Sequence, residues 1–333
     1  MYELLGICLV LAALLSLNAL ASLVTAALWR VMRASAQRWL AMRRVRFLFL
    51  LRVLPPVGAL VGVAMFLVPA YITLEPRQTT ERVSVKLAAL AFVSVAGLML
   101  ALWRGLLAWV ATRRLVARWL REAEPLALEN ISIPAYRFPH RFPIIAIVGV
   151  FRPRLFVADR VLHSLSRAEL AAALAHEQGH LAARDNLKRG LLRACRDVLT
   201  IVPCGRSLDR EWAEAAESAA DEHAARKGAA VALDLAAALV KIARLAPAEM
   251  RPALPAGALL MGDQASGIGS RVHRLTQLAT MTDAGEARRA LALRVAAWTC
   301  AGGFLIGAAL IASSHQLLAT VHAAIEQIVS VLR

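Results

Sequence analysis

The chain has 333 residues, 59% of them hydrophobic and 19% charged, with a formal net charge of +16 carried mostly by arginine. A typical globular domain holds roughly 45–50% apolar residues, so this excess argues against an ordinary water-soluble protein. The arginines cluster beside long apolar runs, a pattern that favours a lipid bilayer over nucleic acid as the expected partner. Four cysteines, Cys8, Cys195, Cys204 and Cys300, form no paired-ligand motif and read as buried or reduced thiols.

A helix needs about 20 apolar residues to cross a bilayer core, and the first three such windows lie at about 4–28, 53–74 and 87–110. The first opens Met1-Tyr2-Glu3, with no basic leader and a run longer than a signal peptide's, so it reads as a retained span. The second contains Pro55-Pro56 and Pro69; the third carries only Arg104, near its end. Arg52, Lys86 and Arg104 sit where long side chains can snorkel to the interface. A fourth window, 295–312, continues as a weaker apolar run that includes His315 and His322, expected at the outer interface.

Orientation follows from the distribution of arginine. Arg30, Arg33, Arg38, Arg43, Arg44 and Arg46 lie between the first two windows with no acid among them. Arg113, Arg114, Arg118 and Arg121 follow the third, and Arg288, Arg289 and Arg294 precede the fourth. The loop between the second and third balances Arg77 and Arg82 against Glu75 and Glu81. The expected layout is an outside N-terminus, three membrane helices within 1–112, a cytoplasmic domain over 113–290, and a fourth membrane helix with a short outer tail over 291–333.

Within the cytoplasmic domain, "PIIAIVGV" and "LFVADRVL" read as two strands joined by an "FRPR" turn, a hairpin. Ser166 and Glu169 have capping-box spacing and start a helix expected to run to about Arg184. Residues 187–202 read as an apolar amphipathic helix. Asp209 can cap a further helix that Gly228 can end. Residues 229–290 look helical with Pro and Gly breaks. The fold class is therefore mainly α: several membrane helices plus a mostly helical domain with a small β-hairpin or sheet.

The capped helix carries "AHEQGH". Residues four apart on a helix differ by about 40° in direction and about 6 Å in height, so His176 and His180 can share one ion. This is the H-E-x-x-H pattern, in which two imidazoles bind zinc and the glutamate is the general base. A catalytic zinc needs a third protein ligand. "EWAEAAESAADEHAA" offers Glu211, Glu214, Glu217, Asp221, Glu222 and His223, and spacing leaves the choice among them open. Glu217 and Asp221 are one turn apart, so one can reach the metal while the other supports a ligand histidine.

"ALAHEQGHLAARDN" followed by "ESAAD" resembles the membrane gluzincin peptidases, which combine H-E-x-x-H with a later E-x-x-x-D. These include the CAAX prenyl protease and HtpX-like group and the BlaR/MecR sensor-transducer group. The resemblance is detailed over roughly residues 140–230 and implies a zincin-type domain holding one Zn2+ per chain. It makes His176, His180 and Glu217 the metal ligands, Glu177 the catalytic base and Asp221 the partner of a ligand histidine, with Asp185 structural. Three spans, a zinc domain and a fourth span most resemble the sensor-transducers, although only about 20 residues follow the fourth span, so no outer penicillin-binding domain is expected. The HtpX-like layout, whose zinc domain also faces inward, fits as well.

The implied function is a membrane-bound zinc endopeptidase acting on a protein or peptide substrate, a cytoplasmic regulator or the chain itself. The alternative is a non-catalytic zinc-binding transducer or scaffold. Arg271, His273 and Arg274 are candidate oxyanion donors; His140, His163 and His223 read as surface or locally bonded.

Overall fold

The structure is a computed structural model that describes residues 2–76, 83–128, 131–195, 204–245, 267–280 and 315–332. The fourth apolar window and Cys300 lie outside these residues. Three helical rods dominate the N-terminal third: α1 (Tyr2–Ala36); α2 (Ala41–Gly62), continued by a π-helical turn (Val63–Leu67) into α3 (Val68–Leu74); and α4 (Val85–Glu122). Each rod is long and apolar enough to cross a membrane. The helices extend past the apolar windows because the flanking arginine-rich segments keep good helix formers. Pro69 has no N–H to offer the carbonyl four residues back, and the wider π turn carries the rod past it. Near its start α1 packs on α3 so closely that a Cβ on Gly6 would lie 2.7 Å from the Tyr71 ring.

After α4 the chain forms a small sheet of β1 (Glu124–Pro125), β2 (Ala135–Phe138), β3 (Ile145–Val148) and β4 (Arg154–Ala158), in the order β1-β2-β4-β3. The β3–β4 hairpin forms where the sequence places it, with Ile147 opposite Leu155, but the second strand ends at Ala158, and residues 159–162, read as its continuation, open a short helix instead. Gly149, at φ +108, starts the turn; a Cβ there would meet the Arg152 carbonyl oxygen at 2.7 Å. β2 lies parallel to β4 on the other side. Trp119, from the far end of α4, is buried against Phe138 and Phe156 with ring centroids 4.8 and 5.1 Å away, and so ties the third rod to the sheet.

The remaining helices are α5 (Asp159–Ser164), α6 (Arg167–Ala183), α7 (Asp185–Cys195), α8 (Cys204–Ala225), α9 (Ala229–Leu245), α10 (Ile268–Thr280) and α11 (His315–Leu332). One core packs the sheet against α6, α9 and α10. A second joins the α1–α2 turn to α7 and α8 through Trp29, Ala36, Val45, Leu48, Leu192 and Trp212. Helix α8 begins at Cys204, five residues before the expected cap at Asp209. That carboxylate instead pairs with Arg52 of α2 at 3.2 Å, and Glu211 pairs with Arg33 of α1 at 2.8 Å. A residue held by a distant arginine is not available as a local cap.

Candidate metal centre

Helix α6 starts as its sequence requires. The Ser166 hydroxyl accepts from Glu169 N–H, and the Glu169 carboxylate accepts from Ser166 N–H, closing the capping box. Alanines then allow close approach on both sides. A Cβ on Gly179 would lie 3.1 Å from Ala220 Cα and 3.1 Å from His223 Cβ, so α8 crosses α6 almost backbone to backbone. This crossing brings the two motifs together.

His176 and His180, each about 98–99% buried, turn their Nε2 atoms toward one another at 3.2 Å. Glu217 of α8 reaches both, with Oε2 at 3.6 Å from His176 Nε2 and Oε1 at 3.6 Å from His180 Nε2. These three donor groups can hold a metal ion. The outer nitrogens are committed elsewhere: His176 Nδ1 lies 2.9 Å from Asp221 Oδ1, and His180 Nδ1 lies 2.8 Å from Asp185 Oδ2. With a proton on each Nδ1, the facing Nε2 atoms present lone pairs, the form in which imidazole ligates a metal.

Asp185 reaches His180 because Arg184 ends α6 in the left-handed region, at φ 53, and folds the next residue back under the helix. Lys188 stands 3.6 Å from its other oxygen. The sequence reading gave Asp185 only a structural part. The "RD" at the motif's end carried a usable signal, since an acid just past a helix end can turn back on the last-turn histidine.

The electrostatics agree with a cation site. Burial opposes ionisation of Glu217, but His180, His176 and Arg271 hold its carboxyl far below the usual range. Burial likewise opposes Asp221, which His176 and Arg271 bring down to about 2. Burial would lower His176, yet Asp221 and Glu217 push it up to about 9. The Glu177 carboxyl is raised by burial, with His180, His176 and the Ile147 N–H acting against that rise. It sits beside the metal donors, 2% exposed, with Oε2 lacking a hydrogen-bond partner among the described residues. The carboxylates of Glu177, Asp185, Glu217 and Asp221 gather around the two histidines, with Arg271 and Lys188 beside them. Such an acidic surround suits a divalent cation, and a His2Glu set is one that zinc takes in hydrolytic sites.

Residues 146–208 match the model of Peptidase family M48. The matched stretch runs from β3 through both motif histidines and the first turn of α8, and it ends before Glu217. No curated protein matches the chain. The chain is thus similar to a membrane-associated gluzincin family, and the match supports a zinc-dependent metallopeptidase acting on protein or peptide. The three long apolar helices fit a membrane protein.

Of the three oxyanion candidates, only Arg271 reaches the centre. Its guanidinium bonds both oxygens of Asp221 and stands 3.2 Å from Glu217 Oε2, so it anchors the carboxylates. Arg274 bonds Glu222 and the Ser218 carbonyl oxygen, and His273 pairs with Gln277 on an exposed face. His140 accepts from the Phe142 N–H, and His163 contacts the Asp159 carbonyl oxygen. His223 packs at Gly179 without entering the donor set. His322 of α11 lies 3.8 Å from Glu75, at the end of α3 away from this centre.

Proposed function

We propose that this chain is an integral membrane zinc endopeptidase that cuts a protein substrate at the cytoplasmic face. The observation that carries this reading is the convergence of His176, His180 and Glu217 beside the buried Glu177. His176, His180 and Glu217 would hold the ion, and bound zinc supplies a Lewis acid and an acidified water. Glu177 takes a proton at its unpartnered carboxylate oxygen and delivers it to the leaving amine; its raised affinity for a proton suits that shuttle. Asp221 and Asp185 orient the imidazoles, and Arg271 keeps Asp221 and Glu217 charged and in place.

The cytoplasmic assignment is supported by charge. The arginine-rich α1–α2 turn and the arginine-rich end of α4 lie on the same side as the metal centre, packed against α7, α8 and the sheet. We propose a regulatory role, with a cytoplasmic regulator or the chain itself as the substrate.

The test is Glu177→Gln in proteoliposomes loaded with zinc. The variant should keep its metal and lose hydrolysis of a casein-type substrate by a factor of roughly 100 or more. Equal inactivity of wild type and variant, both fully loaded, would favour a zinc-binding transducer or scaffold.

A further inference from the structure

Away from the first centre, the end of α3 and the last helix bring together a second set of ligand-type side chains: Glu75, His322 and Glu326. The second rod stops where Leu74 gives way to Glu75, whose backbone turns extended, at φ −76 and ψ 126, while its N–H still bonds the Tyr71 carbonyl oxygen. Helix α11 packs along α3 and the π turn, and its Val321 joins the apolar cluster of Leu5, Cys8 and Tyr71. This seating puts His322 at Glu75. Glu326 comes four residues later, so it projects from the same face of α11. At about 1.5 Å per residue, roughly 35 Å of rod separates Glu75 from Arg52, where α2 holds α8.

His322 Nδ1 is buried and has no hydrogen-bond partner among the described residues. The Glu75 carboxylate, 6% exposed, stands 3.8 Å from it, too far to accept a hydrogen bond. Two ligands each about 2.1 Å from one ion stand at most about 4.2 Å apart, so the same separation suits a bridging metal. All three donor atoms lie within 4.8 Å of one another, and the exposed Glu326 side chain can swing the remaining distance. Charge points the same way. Burial and the neighbouring Glu326 raise the Glu75 carboxyl, with His322 acting against them. A protonated His322 balances one carboxylate and leaves the other; a divalent cation on the neutral imidazole balances both. The imidazole disfavours Mg2+ and Ca2+, which take oxygen ligands, and suits an ion of the zinc class. We propose that Glu75, His322 and Glu326 form a second metal site, for a divalent ion of the zinc class, that fastens the last helix to the end of the second rod. With three donors, one of them exposed, it binds more weakly than the buried first centre, so a weak chelator empties it first.

The experiment is calorimetric titration of the full chain in detergent micelles with Zn2+, after dialysis against a weak chelator, repeated on Glu75→Gln, His322→Ala and Glu326→Gln. The wild type should take up one more equivalent than Glu75→Gln or His322→Ala. Glu326→Gln, at an exposed position where folding is not at stake, should weaken that step roughly 10-fold or more, since even an outer partner of a ligand is worth roughly 10–100-fold. His163→Ala, at an exposed histidine elsewhere, should match the wild type. A large excess of Mg2+ should not displace the ion. In hydrogen exchange, Zn2+ should slow the amides of residues 318–326 in the wild type and not in His322→Ala. The site is read as a difference between variants, so it stands or falls whether or not the first centre holds metal. A wild type with no step beyond His322→Ala, or a step that all three variants keep, overturns it and leaves Glu75 and His322 as an ion pair only. Displacement by Mg2+ overturns the metal class, and exchange unmoved by Zn2+ overturns the fastening of α11.

Discussion

Arg271 and Asp221 are joined by two hydrogen bonds, Nε to Oδ2 at 2.9 Å and Nη2 to Oδ1 at 2.6 Å, across 50 residues of sequence. Asp221 is 1% exposed and also contacts His176, so this pair sets both the charge and the position of the partner of a proposed ligand. Arg271→Ala leaves two buried carboxylates without their cation. The expected result is a loss of about 3–5 kcal/mol in stability and a zinc affinity lowered roughly 10–100-fold. Arg271→Lys restores charge but not the paired geometry, and should recover only part of the affinity. Thermal unfolding and competition against a chelator measure the two effects; unchanged zinc affinity in Arg271→Ala would remove the residue from the site.

Asp185 makes a parallel prediction at the other histidine. Its 2.8 Å contact holds His180 Nδ1 and so directs the Nε2 lone pair inward. Asp185→Ala should lower zinc affinity roughly 10–100-fold while leaving the fold largely intact. Asp185→Asn should fall between the two, because an amide oxygen can still accept from Nδ1 but carries no charge. The ranking is checked by zinc titration with a fluorescent indicator.

Gly179 tests the helix crossing. Its added methyl in Gly179→Ala would meet Ala220 Cα at 3.1 Å, a backbone atom that cannot swing aside. Helix α8 must retreat, carrying Glu217 from the imidazoles. The variant should lose about 1–3 kcal/mol of stability from overpacking, although Ala is intrinsically the better helix former. A rise in melting temperature with unaltered zinc binding would contradict the close crossing.

The start of α6 gives a pH-dependent prediction. Lys241 and the Ser166 backbone N–H hold the Glu169 carboxyl below its ordinary value of 4.5. A depressed carboxyl contributes its stability above the unfolded value and loses it as pH falls through the folded one. The melting-temperature gap between wild type and Lys241→Met should therefore be full above about pH 4.5 and shrink below it. Ser166→Ala should cost about 1 kcal/mol at neutral pH. A gap that stays constant into acid would remove Glu169 from the account.

The sequence made local features legible and left crossings hidden. The capping box, H-E-x-x-H and the β3–β4 hairpin depend on residues within a few positions of one another, and each formed, although the second strand stops at Ala158 where "LFVADRVL" reads as strand throughout. Glu217 could not be singled out by spacing, because six side chains spread over about three turns of one helix were candidates and only the approach of α6 at Gly179 selects among them. Asp209 looked like a cap because nothing local reveals Arg52, 157 residues away. Strand β2 was missed because "AYRF" is four residues long and pairs with β4 only through a parallel register. Arg271 was sought as an oxyanion donor. Its two carboxylate partners lie on another helix, so its anchoring part became visible only in three dimensions.

We infer that Glu217, beyond the matched family segment, completes the metal site begun by His176 and His180. Zinc content by elemental analysis, in wild type and Glu217→Ala after dialysis against a weak chelator, tests it most directly. One zinc per chain is expected in the wild type, with near-complete loss in the variant. Full retention of zinc by Glu217→Ala, or none in the wild type, would contradict it.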